Sequence, residues 1–325
     1  MKKRAVLPLV CIMTILILDS RCAAQSARDA LTLCLETLVP VLFPLFVFSA
    51  MLVPRLSYLR IPGLARLLGI PEGSEGLFIL GCCGGFPVGA ACVSQAAQSG
   101  ALKRSDARRM LGLVSFCGPS FLFGIIGTLF SMKEALLLFF VQLEAAVLTA
   151  QFRSVPSGNI FRCSQMAPVS LNTALGRATA SMSSVCGWVV LAGVMSGFLR
   201  RWFSPLLPGW VGAALTGFLE LTSGVFALGE ISDPRLRFVL CAAFVCFGGV
   251  SVLLQIGGFA GAAGLSMLPC VTQKAMQALL GSVLAAGIAV FGPAFLLMGL
   301  IVPALKIAVE ISGRMVYNGP RKEGI

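Results

Sequence analysis

Histidine does not occur in the 325-residue chain. Its absence excludes Ser-His-Asp and Cys-His catalysis, histidine-containing zinc sites and histidine proton relays. Charge is scarce too. Only 12% of residues are charged and 57% are hydrophobic, whereas soluble domains carry about 25% charged and roughly 45–50% apolar residues. The length would suit two soluble domains; the composition excludes them. No CxxC pair occurs among the twelve cysteines, which removes zinc ribbons and thioredoxin-like redox motifs. Twelve thiols without a framework also argue against a disulfide-rich extracellular protein. Lying almost all inside apolar stretches, they read as small packing residues.

What the chain does have is apolar length. The mean hydropathy is +0.93, and stretches long enough to cross a bilayer recur from end to end, so the class is an all-α polytopic membrane protein. The net charge of +12 comes from 25 basic and 13 acidic residues. No basic, aromatic-interleaved face is present, so nucleic acid is not the partner. The positives fall in short joints: Arg55, Arg60 and Arg66; Lys103, Arg104, Arg108 and Arg109; Arg153 and Arg162; Arg200 and Arg201; Arg235 and Arg237. Charge so placed orients a chain in the bilayer and touches anionic headgroups.

Five organisational units follow. Residues 1–24 form a short apolar anchor or signal-like segment: a basic start, then a 5–18 core shorter than a comfortable span. Residues 25–151 hold a first transmembrane unit, with a mixed interfacial segment at 25–38, a span at 38–53 carrying Pro40 and Pro44, a hairpin at 76–99, a stretch at 110–130 broken at Gly118-Pro119, and a span at 135–151. Residues 152–182 are an interfacial connection. Residues 183–305 hold a second unit, with a hairpin at 206–228, a stretch at 238–255, a glycine-rich 257–264 and a long apolar 275–305. Residues 306–325 are a tail.

Basic clusters flank 76–99 on both sides, at 55–66 and 103–109. A full crossing would leave one cluster outside, whereas a re-entrant hairpin turning at Gly84-Gly85-Phe86-Pro87-Val88-Gly89 keeps both inside, as the positive-inside rule prefers. Non-helical backbone at membrane depth is tolerated only when buried in protein or lining a cavity. A hairpin tip there is therefore also a site. Residues 116–125 align with 247–256 at five of ten positions, and each copy follows a basic loop and an apolar segment with a glycine-containing interior. In the second copy that interior is Glu220-Leu221-Thr222-Ser223-Gly224. Counting crossings gives two inverted structural repeats, each with a re-entrant helical hairpin and a broken transmembrane helix. The count leaves Arg200, Arg201, Arg235 and Arg237 outside, against the positive-inside rule.

Broken helices present first-turn N–H groups and about half a positive charge, which favours anions. Candidate substrate-binding residues are thus Gly84, Gly85, Phe86, Pro87 and Gly89 at the first tip, and Glu220, Thr222, Ser223 and Gly224 at the second. Ser120, Ser251 and Gln255 would line the broken helices between them. Glu220 has no basic neighbour in sequence, and an ionisable group at membrane depth is costly and usually functional, which suits proton coupling or substrate binding. Glu144, nearer a helix end, reads as a packing residue. No acid–base or nucleophile–base constellation is evident, so an enzyme is not expected.

The segments Leu38-Val39-Pro40-Val41-Leu42-Phe43-Pro44-Leu45-Phe46, Gly85-Phe86-Pro87-Val88-Gly89-Ala90, Asp106-Ala107-Arg108-Arg109 with Ser115-Phe116, and Phe247-Gly248-Gly249-Val250-Ser251 with Gln255 occur in an order that resembles the sporulation integral membrane proteins (YlbJ type) of the nucleoside-recognition or Gate-domain group. The resemblance covers about residues 28–310. It implies a fold similar to that of concentrative nucleoside transporters, a place in the bacterial cytoplasmic or forespore membrane, and dipicolinate transport during sporulation. The chain departs from that pattern at Ala91-Cys92 and Cys117-Gly118, losing hydrogen-bonding groups near the site. The expectation is a secondary transporter for a small anionic or heterocyclic solute, using no cofactor, with H⁺ or Na⁺ as coupling ion. Its other partners would be the lipid bilayer and, in a homo-oligomer, further copies of itself. The alternatives are a nucleoside-type transporter or a non-transporting scaffold of the sporulation machinery.

Overall fold

Apolar length sets the architecture. The computed structural model describes residues 6–61, 63–152, 159–162, 166–203, 206–299 and 301, and among these the regular structure is helical, with no strand. Five helical stretches are long and apolar enough to cross a membrane: Ser20–Leu56, Met132–Gln151, Leu171–Trp202, Pro234–Ala262 and Leu268–Phe291. Between them lie shorter apolar helices that turn back or break.

After α1 (Val6–Leu18) and α2 (Ser20–Leu33), a π turn at Cys34–Leu38 leads without interruption into α3 (Val39–Leu52). The interfacial segment expected at 25–38 is therefore continuous with the span that follows. The wide turn explains the continuity: Pro40 has no N–H to offer the Glu36 carbonyl and would clash with it in a regular helix, and a π turn relieves both. A short α4 (Leu64–Leu68) precedes the first helix pair, α5 (Glu75–Gly84) and α6 (Phe86–Gln98). α7 (Arg104–Leu113) ends in an extended stretch before α8 (Pro119–Phe121), which a second π turn at Leu122–Ile126 joins to α9 (Gly127–Leu129).

α10 (Met132–Gln151) is a single candidate span, and α11 (Leu171–Trp202) runs through the boundary expected at 182. The Ser170 hydroxyl accepts from the Thr173 N–H and caps α11 twelve residues before the 182 end of the expected connection. Residues 171–182 of that connection are therefore the first turns of a long helix. The second helix pair is α12 (Gly209–Leu219) and α13 (Leu221–Ala227). α14 (Pro234–Phe247) and α15 (Gly249–Ala262) form one broken span. The 257–264 glycines mostly belong to α15, whose Gly258 faces Ser184 and Trp188 of α11; small residues let membrane helices approach. α16 (Leu268–Phe291) stops at Gly292-Pro293 before α17 (Leu296–Gly299), dividing the expected 275–305 run. The 306–325 tail lies outside the described residues.

Polar contacts tie the loops into two ends. At one, Phe161 N donates to Glu72 O at 2.9 Å, Arg162 N donates to Ala101 O at 3.0 Å, and Lys103 reaches Asn159. At the other, Arg201 pairs with Asp19 at 2.9 Å, and Arg237 pairs with Glu134 at 3.4 Å beside the Phe130 ring. α16 shows how the interior is built: Met276, Leu279 and Val283 face outward while Gln273, Lys274 and Gln277 are buried. Polar residues inside and apolar ones outside is the reverse of a soluble amphipathic helix.

Candidate functional site

Four interruptions of helical backbone meet at the centre of the molecule. The first separates α5 from α6 at Gly85, whose φ of 83° and ψ of −178° suit glycine alone. Pro87 sits in the first turn of α6, where a missing N–H costs nothing. The chain folds back so tightly that a Cβ on Gly89 would lie 3.0 Å from Gly81 Cα. The second separates α12 from α13 without a glycine at the turn. Glu220 is extended there, and a Cβ on Gly224 would lie 2.0 Å from Gly217 Cα. Each pair is thus a hairpin closed by two facing glycines, which explains the small residues on both arms.

The other two interruptions lie in helices that continue onward: residues 114–118 between α7 and α8, and Gly248 (φ 88°) between α14 and α15. These are the two copies of the aligned segment 116–125 and 247–256. Each hairpin turn rests on one of them. A Cβ on Gly85 would lie 3.3 Å from Gly118 Cα, and one on Gly249 would lie 3.2 Å from the Leu221 nitrogen. Gly248 packs on the Phe86 ring, linking the two halves.

A cavity of about 120 Å³ lies where they meet. Of the residues expected to bind substrate, Gly84, Gly85, Phe86, Pro87, Ser120, Glu220, Thr222 and Gln255 line it, joined by Thr37, Cys117 and Gly118. Gly89, Ser223, Gly224 and Ser251 do not. Gly89 and Gly224 close the hairpins, Ser223 lends only its backbone N–H to Glu220, and Ser251 is 2% exposed beside Gln255, whose Nε2 reaches its hydroxyl at 3.4 Å.

Glu220 is not a bare acid. Its carboxylate accepts from Thr222 N at 3.0 Å and from Ser223 N at 2.6 Å, capping the helix that follows. The site therefore already holds one anion against a helix start, the preference expected from unpaired first-turn N–H groups. The 114–118 interruption is held from α10 and α16. Gln142 accepts from Cys117 N and donates to Cys117 O, both at 3.0 Å, Lys274 Nζ donates to Ser115 O at 2.8 Å, and Gln277 Nε2 donates to Gly112 O at 3.2 Å. Backbone groups freed by breaking a helix must be paired when buried, and these three side chains do it.

Lys274, Gln277 and Gln142 escaped the sequence reading. Starting the last apolar run at 275 cut Lys274 off from its helix. The signal was the polar spacing Gln273-Lys274-Gln277 opposite apolar Met276, Leu279 and Val283. Glu144 is buried at 5% exposure on α10, away from the cavity.

A second cavity of about 290 Å³ lies along the same four helices, α3, α6, α11 and α15. Its lining, including Ser49, Cys92, Ser94, Gln95 and Arg177, is one to two turns removed from the first, and the Phe46 and Phe259 rings are 6.1 Å apart beside it. The described cysteines are all free thiols, and no group of three or more metal-ligating side chains occurs among the described residues. The chain matches no protein-family model, no curated protein and no solved structure.

Proposed function

We propose that the protein is a membrane transporter for a small organic anion, with the substrate held where the four helix interruptions meet. One observation carries this reading: a carboxylate, that of Glu220, already sits on two backbone N–H groups at the start of a helix lining a central cavity. The start of α6, whose Phe86 and Pro87 line the same cavity, has no side-chain cap, so it is available to a second carboxylate.

In this reading the two hairpins are re-entrant and the halves inverted. The feet of α5–α6 lie near the end marked by Glu72 and Ala101, and those of α12–α13 near the end marked by Arg201 and Glu134, which supports opposite orientations. Alternating access would then be rocking of one half against the other about a midplane site. The second cavity, with Arg177 at its mouth, would be the route from the first end, which the basic clusters make cytoplasmic.

Glu220 and an incoming anion compete for the same positive field. A proton or sodium ion arriving with the solute would remove that conflict, which makes Glu220 the coupling residue rather than a direct substrate ligand. Dipicolinate is the first solute to test, on the strength of the sporulation-family resemblance, and uridine the second. Purified protein in proteoliposomes should move dipicolinate, read by terbium luminescence, above protein-free vesicles. Uridine flux alone would keep the transporter and replace its cargo. Movement of neither by folded protein would leave the scaffold reading in its place.

A further inference from the structure

A buried cation beside the cavity does not line it. Lys274 is 1% exposed on α16. Its ammonium donates to Ser115 O at 2.8 Å and to Gln277 Oε1 at 2.7 Å, and lies 5.2 Å from the centroid of the Phe86 ring. The titratable groups around it are the thiols of Cys117, Cys246 and Cys270, and no carboxylate pairs with it among the described residues.

A carbonyl, an amide oxygen and a ring face satisfy an ammonium's geometry without neutralising it. A buried ion lacking a counter-ion is expensive. The hydrogen bond to Ser115 does not explain that expense, because Gln142 and Gln277 pin the same interruption with neutral amides. What lysine adds is charge. Lys274 touches the Phe86 ring and the Ser115 carbonyl, and Phe86 and the adjoining Cys117 and Gly118 are cavity wall.

We infer that Lys274 is the specificity-determining charge of this site: a fixed cation one layer behind the wall, whose counter-ion is a carboxylate group of the solute. The inference rests on the cavity being the transport site, and it narrows the solute class to carboxylates over neutral molecules of equal size. Lys274 touches no solute; it acts through the wall as a positioning residue.

The test is equilibrium binding to the purified full-length protein of two near-isosteres, dipicolinate and the neutral pyridine-2,6-dicarboxamide. The wild type should prefer dipicolinate. Lys274→Gln, which keeps a donor for Ser115, should weaken dipicolinate by about ten- to thirtyfold, the effect of one charge across one residue layer, and leave the diamide unchanged. Equal weakening of both would make Lys274 purely structural and overturn the inference, as would an unchanged preference. If the variant does not fold, the wild type decides through the series dipicolinate, its monoamide and its diamide. Affinity must fall with each charge removed, and a flat series refutes the claim. A wild type that binds no member of the series would overturn the transport-site reading itself.

Discussion

Glu220 can be separated into two jobs, and a pair of substitutions should divide them. In the structure its two carboxylate oxygens accept from Thr222 N and Ser223 N, and the residue is 6% exposed. Glu220→Ala leaves both N–H groups without an acceptor where water has little access. Losing a helix cap costs about 0.5–2 kcal/mol, and burial places this one at about 2 kcal/mol. Glu220→Gln keeps one acceptor oxygen and loses one of the two cap bonds, about half of that cost, or ~1 kcal/mol. Thermal unfolding in detergent should therefore rank wild type, then Gln, then Ala. Transport separates the variants differently. Glu220→Gln should lose the acceleration of dipicolinate uptake by an imposed proton or sodium gradient while exchange across equilibrated vesicles continues, because the anion's own binding groups are intact. A Gln variant with gradient-driven uptake equal to wild type refutes the coupling role. An Ala variant as stable as wild type refutes the capping argument.

Three further outcomes follow from the same geometry. Gly224→Ala should destabilise by at least the roughly 1–3 kcal/mol of an overpacked contact, since its Cβ would meet the Gly217 backbone, whereas Gly176→Ala on α11, with nothing within 4 Å, should be neutral or stabilising; equal unfolding temperatures for the two would contradict the closed second hairpin. Gln142→Leu removes both hydrogen bonds to Cys117 and should cost about 2–3 kcal/mol by the same unfolding assay; no loss would mean that the 114–118 stretch is held by other means. Arg177→Glu reverses the charge at the second cavity's mouth and should slow dipicolinate uptake by about tenfold at low salt, with a smaller effect at high salt. A salt-independent rate would place the route elsewhere.

The helix breaks were legible because their chemistry is local. Gly85 needs a left-handed φ, Pro87 and Pro119 start helices, and the paired copies at 116–125 and 247–256 mark equivalent interruptions. Eight candidate site residues consequently share one cavity. Continuity was harder to read. The charges of the mixed 25–38 segment suggested a boundary at 38, yet a π turn carries the helix through, and polarity suggested a connection at 152–182, yet 171–182 belong to α11. Two glycines at the hairpins, Gly89 and Gly224, resembled ligand-contact positions because close backbone approach looks alike in sequence whether the visitor is a solute or the chain's own other arm. Lys274 was hidden for a different reason: its partners, Ser115 and Phe86, lie more than a hundred residues away, and a lone lysine at the start of an apolar run reads as an interfacial anchor.

Whether the meeting point of the helix breaks holds an organic anion is best decided by an experimental density map of the protein with dipicolinate. Solute density should be bounded by Gly85, Gly118 and Glu220, with a carboxylate against the start of α6. Density at another place, or an empty cavity in a preparation that transports dipicolinate, would contradict the assignment.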